Sequence, residues 1–582
     1  MANTTLLDKI FANLTESTAL TWADYCIQEL NGSDFDWDRE LVDGNGNYIS
    51  ELTSAWGIKV PTCHKYCNLI PIAKTFSFQD FSGAMTNYFL PWLALTAQLP
   101  FETGDLWSNT MSFCLAVGSP AFVTYSLTIT ILNRYWVRKR FNGLLTKARS
   151  LSIRQKYREY EDRIRAAQYL LQEAQQVPLR ASQEKGWLSS LVVIPKNEIW
   201  WEHLEGRLRS TRRGVTASLV AQMLLASVTY LFTVITSLVA SLGDQGAGLQ
   251  IASGSLWIWL IPVILGWITV GTQYSHRSID DALRAELAER ALEPPIQGTD
   301  SELQDQRGLV VRGGLSPQPS LVQTVVGAVD TPALAHLEIP NWLGADVEGD
   351  EKRKGPIYNY ARLFTWWQLA STLHTAFWQT LENVRTGEVV YETAQGQPRP
   401  VWDSQKPSSN LEGDIKGTAG YCGLHKVPVV AFPKWSDIPS PIYRRILAAS
   451  LWGLFVQWGT TGASILIAFL TPTIGLGCRS GSYLLYGVLG TTVWVCLLTS
   501  MLLSHEAMLR YQKEHRINPS MDFRLRPQPK SPNPNQYSRD RTHSAFCAAA
   551  VILRYIGKTL AVINTLWLVI SSLMEFVGGY DN

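Results

Sequence analysis

Charged side chains are missing from the middle of six long stretches of this chain, and that absence organises the rest. Asp, Glu, Lys and Arg make up only 17% of the 582 residues. None lies centrally in the runs 112–133, 214–241, 256–273, 446–471, 483–504 and 557–578; Lys558 and Glu575 stand near opposite ends of the last. A helix crossing about 30 Å of hydrocarbon needs roughly 20 mostly apolar residues, so each run qualifies as a span. Ionisable groups at membrane depth mark proton relays and ion-coupled pathways. Their lack weighs against ion-coupled transport.

Other absences narrow the class. No P-loop, G-x-G-x-x-G ahead of a helix, H-E-x-x-H or G-x-S-x-G stands in a fitting context. The runs hold no paired acids, Ser/His pair or metal ligands. No catalytic, cofactor or metal residue is assigned, and an enzyme is not expected. No basic block interleaved with aromatics marks a nucleic-acid face. The first 30 residues lack the apolar core of a signal peptide, so the first run is expected to translocate the tail before it.

What is present is sorted charge. Residues 134–213 hold 18 Lys/Arg against 8 Asp/Glu, and 505–555 hold 9 against 4, whereas 1–110 hold 5 against 13. Basic segments stay cytoplasmic, which sends the N-terminal tail and the C-terminus outside. Arg277, Arg284, Arg444 and Arg445 place 277–445 inside by the same rule. Sequons at Asn3, Asn13 and Asn31, the expected glycosylation sites, all fall in the acidic tail and support its outside placement independently of charge. Cys26, Cys63 and Cys67 share that tail and are disulfide candidates, with Cys114 and Cys478 near the outer face available to take an odd thiol. The expected location is a plasma or secretory-pathway membrane. Trp, with 22 residues, fits such a chain, because amphipathic rings favour headgroup depth.

The fold class expected is an all-α polytopic membrane protein of about six transmembrane helices, with interfacial helices and a small cytosolic cap. In order, it has an acidic tail (1–80), an interfacial or re-entrant segment (81–111), a first span (112–133), a basic helical loop (134–213) and a hairpin of two spans (214–276). A cytosolic loop (277–445) follows, with a linker at 295–355 and a cap at 386–440. Then come a second hairpin (446–504), a Pro-rich basic loop (505–556), the last span (557–578) and a short outer end (579–582). Residues 363–381, with Trp366, Trp367 and Trp378, read as a helix lying on the inner leaflet. Ile153, Tyr157, Tyr160, Ile164, Ala167, Leu171 and Ala174 recur by fours and threes, the spacing of a seam. That stripe packs on the protein's own cytosolic face, or offers 151–175 for self-association or a partner.

Several constellations come close to a known chemistry without completing it. Cys63-His-Lys-Tyr-Cys67 and the Cys422/His425 pair are short of four zinc ligands. Asp34, Asp36 and Asp38 alternate as calcium ligands do, but Arg39 occupies the position that needs Gly. Thr473-Ile-Gly-Leu-Gly477 has the look of a potassium filter, with Arg479 beside it in electrostatic conflict. Glu198, Glu202 and Glu205 share a helical face with His203 and have Arg209 to pair with. Arg526, Pro529 and Pro532 fit the R-x-x-P-x-x-P spacing that polyproline segments present to adaptor grooves.

The stretches Asn87-Tyr-Phe-Leu-Pro-Trp-Leu-Ala-Leu-Thr and Thr471-Pro-Thr-Ile-Gly-Leu-Gly-Cys-Arg-Ser-Gly-Ser resemble a group of multi-pass membrane proteins of filamentous fungi that have no assigned activity. The resemblance implies a eukaryotic membrane location and carries over no site residues. Two functional readings stand: a non-enzymatic membrane sensor or scaffold whose obligate partner is the lipid bilayer, and a channel or transporter with a neutral pore lined by Gln222, Gln457 and Asn564.

Overall fold

A computed structural model describes residues 40–43, 47–50, 55, 57–59, 90–99, 106–151, 158–179, 187–194, 197–212, 214–239, 251–270, 279, 282–283, 341–342, 345–386, 390–394, 397–402, 415–424, 432–471, 476–514 and 534–576. The described chain is mostly helical: α1 Leu90–Thr96, α2 Leu106–Gly118, α3 Pro120–Leu151, α4 Arg158–Glu173, α5 Trp187–Val193, α6 Glu198–Ser210, α7 Ala217–Val239, α8 Leu260–Val270, α9 Leu363–Thr386, α10 Ile415–Tyr421, α11 Ser440–Leu470, α12 Cys478–Glu514 and α13 Pro534–Phe576. Three two-stranded antiparallel pieces complete it: β1 Leu41–Val42 with β2 Gly57–Ile58, β3 Asn341–Trp342 with β4 Ala345–Asp346, and β5 Val390–Ala394 with β6 Gln397–Trp402.

Among the described residues four helical segments, or five if the bent pair below is one span, are long and apolar enough to cross a membrane, against about six expected: Ile251–Val270, Ser440–Leu470, Cys478–Lys513 and Ala545–Ser571. Helix α7 lies in the second expected run, but its apolar stretch Ala217–Phe232 is shorter than these four. The first expected run is not one straight helix. It breaks at Ser119, where α2 and α3 meet at a bend of 103°. The local sequence explains the break. Ser119 Oγ accepts the Phe122 N–H at 3.2 Å as an N-cap, and Pro120, whose missing N–H would have been an orphan, opens α3. Averaging hydropathy across 112–133 hides this punctuation.

A break among apolar helices opens buried backbone groups that need hydrogen-bond partners. Polar side chains from three other helices supply the partners. Gln457 on α11 accepts the Ala121 N–H at 2.9 Å and donates to Gly487 O at 2.7 Å. Asn564 on α13 donates to Gly118 O and to Tyr486 O, at 2.7 and 3.0 Å. The Tyr486 hydroxyl donates to Val117 O, Thr565 donates to Cys114 O, and Ser119 donates to Gly490 O. Close approach needs missing side chains. A Cβ on Gly118 would collide with the Ala561 carbonyl, and one on Gly453 would lie 2.6 Å from Ala121 O.

On one side of this bundle α4 and α9 pack on α3, α6 packs on α4, and α5 and α10 pack on each other and on α9. The stripe of Tyr160, Ile164, Ala167, Leu171 and Ala174 is buried there within the chain's own core, while Ile153 and Tyr157 lie outside the described residues. Helix α9 differs from the inner-leaflet helix expected for 363–381. Its buried residues run right round the helix, Trp366 donates to Leu171 O at 3.0 Å, and of its three tryptophans only Trp378 is largely exposed. A helix lying on lipid buries one face in the bilayer; this one is core. The expected linker also ends early. Val347, Glu348, Asp350 and Glu351 are buried, whereas 295–340 lie outside the described residues.

Replacing Gln457 by Leu removes the acceptor of the Ala121 N–H, an orphaning that costs about 1–3 kcal/mol. The expected outcome is a lower unfolding midpoint in detergent for Gln457→Leu, with little change for Leu466→Ala, whose side chain is exposed. Equal midpoints for both variants and the parent would contradict the account of the break.

Candidate functional site

A dense group of buried charge lies where the loop 345–362 meets α12 around Ser500–His505 and α13 at Arg554 and Lys558. After the β3–β4 hairpin the chain turns through Gly349, whose φ of 52° is left-handed and suits glycine. Arg554 packs against that glycine where a Cβ would otherwise stand. The turn delivers Asp350 into a pocket with three partners. Lys558 on α13 pairs with Asp350 Oδ1, the Tyr360 hydroxyl donates to Oδ2 at 2.6 Å, and Arg353 Nε lies 3.5 Å away. Arg554 donates to Asp346 O at 2.6 Å and to Val347 O at 3.4 Å.

Electrostatics keeps Asp350 ionised. Burial pushes its carboxyl up, but the charges of Lys558 and Arg554, with hydrogen bonds from Lys558 and Tyr360, outweigh burial and hold it below the usual carboxylate range. Tyr360 goes the other way, its hydroxyl raised well above the ordinary phenol by burial and by the Asp350 charge. Lys352, between Glu348 and Asp346, is raised, since its two carboxylate partners overcome its burial.

A second cationic group fastens the loop to α3 and α4. Arg362 is fully buried and donates to Gln175 O, Gly355 O, Asn359 Oδ1 and Arg353 O. Burial brings it down to about 10, which still leaves it charged at neutral pH. Asn359 then donates to Thr130 Oγ1 on α3 at 2.9 Å. Next to it, Arg134 pairs with buried Glu173 at 2.8 Å and donates to Val270 O, while Arg212 donates to Thr269 O at 3.3 Å. Two arginines thus cap the carbonyl end of α8, where cations complement the helix dipole. Burial raises the Glu173 carboxyl despite Arg134 and Arg212.

A cavity of about 20 Å3 sits beside Asp350, lined among others by Glu351, Ser500, Ser504, His505 and Arg554. That is room for one water and too little for an organic substrate. The arrangement ties a loop to the bundle by charge. Its histidine, His505, has Nε2 2.9 Å from Pro433 O.

The residues singled out from sequence fare differently. Gln457 and Asn564 are buried; Gln457 serves the Ala121 N–H and Gly487 O, and Asn564 Nδ2 donates to Gly118 O and Tyr486 O, while Asn564 Oδ1 has no hydrogen-bond partner. Gln222 is half-buried and accepts from Gln98 at 2.7 Å. Cys114 is buried where α2 crosses α13, and Cys478 is exposed at the start of α12; both are free thiols. Glu205 pairs with Arg209 at 2.5 Å. Cys422 is a buried thiol pushed up to about 12 by burial. Among the described residues no group of His, Cys, Asp and Glu is arranged to hold a metal ion. Asn3, Asn13, Asn31, Cys26, Cys63, Cys67, Arg526, Pro529 and Pro532 lie outside the described residues. Reading the sequence missed Asp350, Tyr360 and Arg362. The charge run Asp350–Lys354 was visible, as were Arg554 and Lys558 at the edge of the last apolar run, but nothing local paired them across 208 positions.

Comparison with protein-family models, with curated proteins and with solved structures finds no match.

Asp350→Asn leaves Lys558 and Arg554 without their buried counter-charge, which is expected to cost about 3–5 kcal/mol. Adding Lys558→Met should restore part of the loss in a double-mutant cycle. The carboxyl titrates lower folded than unfolded, so its contribution is complete above about pH 4 and fades as pH falls through the depressed folded value. Acid unfolding curves should therefore be shallower for Asp350→Asn than for the parent. Additive effects of the two substitutions would refute the coupling.

Proposed function

We propose that this chain is a multi-pass integral membrane protein of the plasma or secretory-pathway membrane that works as a non-enzymatic sensor or scaffold. One observation carries the reading: α11 is built inside out for water. Beyond Ile442, Arg445 and Ala449 at its start, its buried positions are Ser450, Gly453, Gln457, Thr461, Ser464 and Ala468, at helical spacing, while Leu447, Leu451, Trp452, Phe455, Leu466 and Leu470 are exposed. A soluble protein rarely exposes a continuous apolar face of this kind. In lipid it is the outer surface of a span, and small or polar residues belong at the helix contacts.

Several inward-facing polar groups support a scaffold over a pore. Gln457 serves the backbone at the break, and the hydroxyls of Ser450 and Ser464 donate to carbonyls of their own helix. A mid-depth break is also a device of transporters, which aim half-helix ends at a substrate. That feature favours the channel or transporter as the second reading. Here, however, the Ala121 N–H and the Gly118 carbonyl already have partners. The Asp350–Lys558 pair joins a cytosolic loop to the last span, a link through which binding on the basic layer would reach the bundle. Self-association or a partner acting through 151–175 would use the charged face of α4, with Asp162 and Arg165, because its apolar stripe is occupied.

Purified protein should stay with membranes through alkaline carbonate and, reconstituted into phosphatidylcholine vesicles, should pass neither current nor small ions above empty vesicles. Steady unitary conductance would replace the scaffold by the pore. Release by carbonate without detergent would overturn the membrane reading.

A further inference from the structure

We infer that the α1–α3 unit enters and leaves the bilayer on one face, so that the chain preceding it lies on the same side as the basic loops. The inference rests on the membrane reading above and reverses the sidedness expected for the acidic tail from its charge and sequons.

The direction of α3 is fixed by two contacts with α11. Ala121 N–H meets Gln457 at 2.9 Å, and Asn133 Oδ1 accepts from Arg445 at 2.7 Å. Twelve residues separate the contacts on each helix, in opposite order, so α3 runs antiparallel to a candidate span from the break to the basic layer. The break then lies about 18 Å along the bundle from Arg445, close to the middle of the hydrocarbon.

Helix α2 does not carry the chain across the other half. It has 13 residues, about 20 Å, and would have to rise about 15 Å away from the basic layer to reach the opposite face. At a bend of 103° it lies nearly in the membrane plane, and its first turn falls about 4 Å nearer the basic layer than Gly118. Its neighbours agree. Ser112 donates to the hydroxyl of Tyr358, a residue of the loop that holds Asp350, at 3.4 Å.

A separate contact places α1 likewise. Gln98, just beyond α1, donates to Gln222 at 2.7 Å. Gln222 lies little more than one turn into α7, at the end that follows Arg212, and Arg212 itself caps the basic-side end of α8. Trp92 on α1 packs edge-on against Phe113 on α2, so the two short helices form one unit. That unit sits in the half of the bilayer next to the basic loops. With α2 and α3 as a re-entrant pair, Asn3, Asn13 and Asn31 face the compartment of the basic loops.

The test uses three full-length proteins, each with one epitope: at the N-terminus, at position 320 within the long loop, or in the 472–476 turn between α11 and α12. Antibody access is compared in intact and permeabilised cells. The expected result is identical access for the first two tags and the opposite access for the third. Glycosidase treatment should not shift the mobility of the parent protein. Opposite access for the N-terminal and position-320 tags, or a glycan lost on substituting Asn3, Asn13 and Asn31, would overturn the inference while leaving the membrane reading intact. Identical access for all three tags would mean that α11 does not cross, and would sink both.

Discussion

Backbone groups left open at Ser119 must find hydrogen-bond partners where neither water nor lipid supplies them. That requirement sets the interior of the bundle. It accounts for a glutamine on α11, an asparagine on α13 and a tyrosine on α12 converging on the five residues 117–121. It accounts for glycine at 118 and 453, because the helices must come close enough for those short side chains to reach. Remove the break and these polar residues would be a cost; with it, they are the complement of the exposed backbone.

A second constraint operates at the edge of the bundle. Asp350, Arg362 and Glu173 are charges taken out of water, and each is held by partners from a different part of the chain. Such pairs add little net stability compared with apolar packing but are expensive to break one partner at a time. Their effect is to specify which loop docks on which helix. The loop from 345 to 362 is pinned to α13 through Asp350 and to α3 through Asn359. The layer formed by α4, α6 and α9 is thus tied to the long apolar helices.

Much of this layout was legible in the sequence, and the parts that were not fail for physical reasons. Long uncharged runs located the apolar helices, and the three-and-four spacing of Tyr160, Ile164, Ala167 and Leu171 located a buried helix face. The Gly118-Ser119-Pro120 triplet carried the signal for a helix start, yet hydropathy sums over about 20 residues cannot resolve it. Gln457 and Asn564 stood out as polar residues in apolar runs. Their role needed the position of the break, which lies more than 300 residues away from Gln457 in sequence. The aromatic run at 363–381 reads alike whether its rings meet headgroups or a protein core, because both environments offer a dry face and a polar edge. Asp350 beside Lys352, Arg353 and Lys354 looks like a solvated linker until a folded partner removes the water.

Hydrogen exchange in lipid nanodiscs reaches the central claim most directly. If the break is dry and its donors are taken by Gln457 and Ser119, the amides of Ala121 and Phe122 exchange as slowly as those in the middle of α11. Exchange at these two positions as fast as at an exposed helix end would mean that water reaches the break, and would contradict the account.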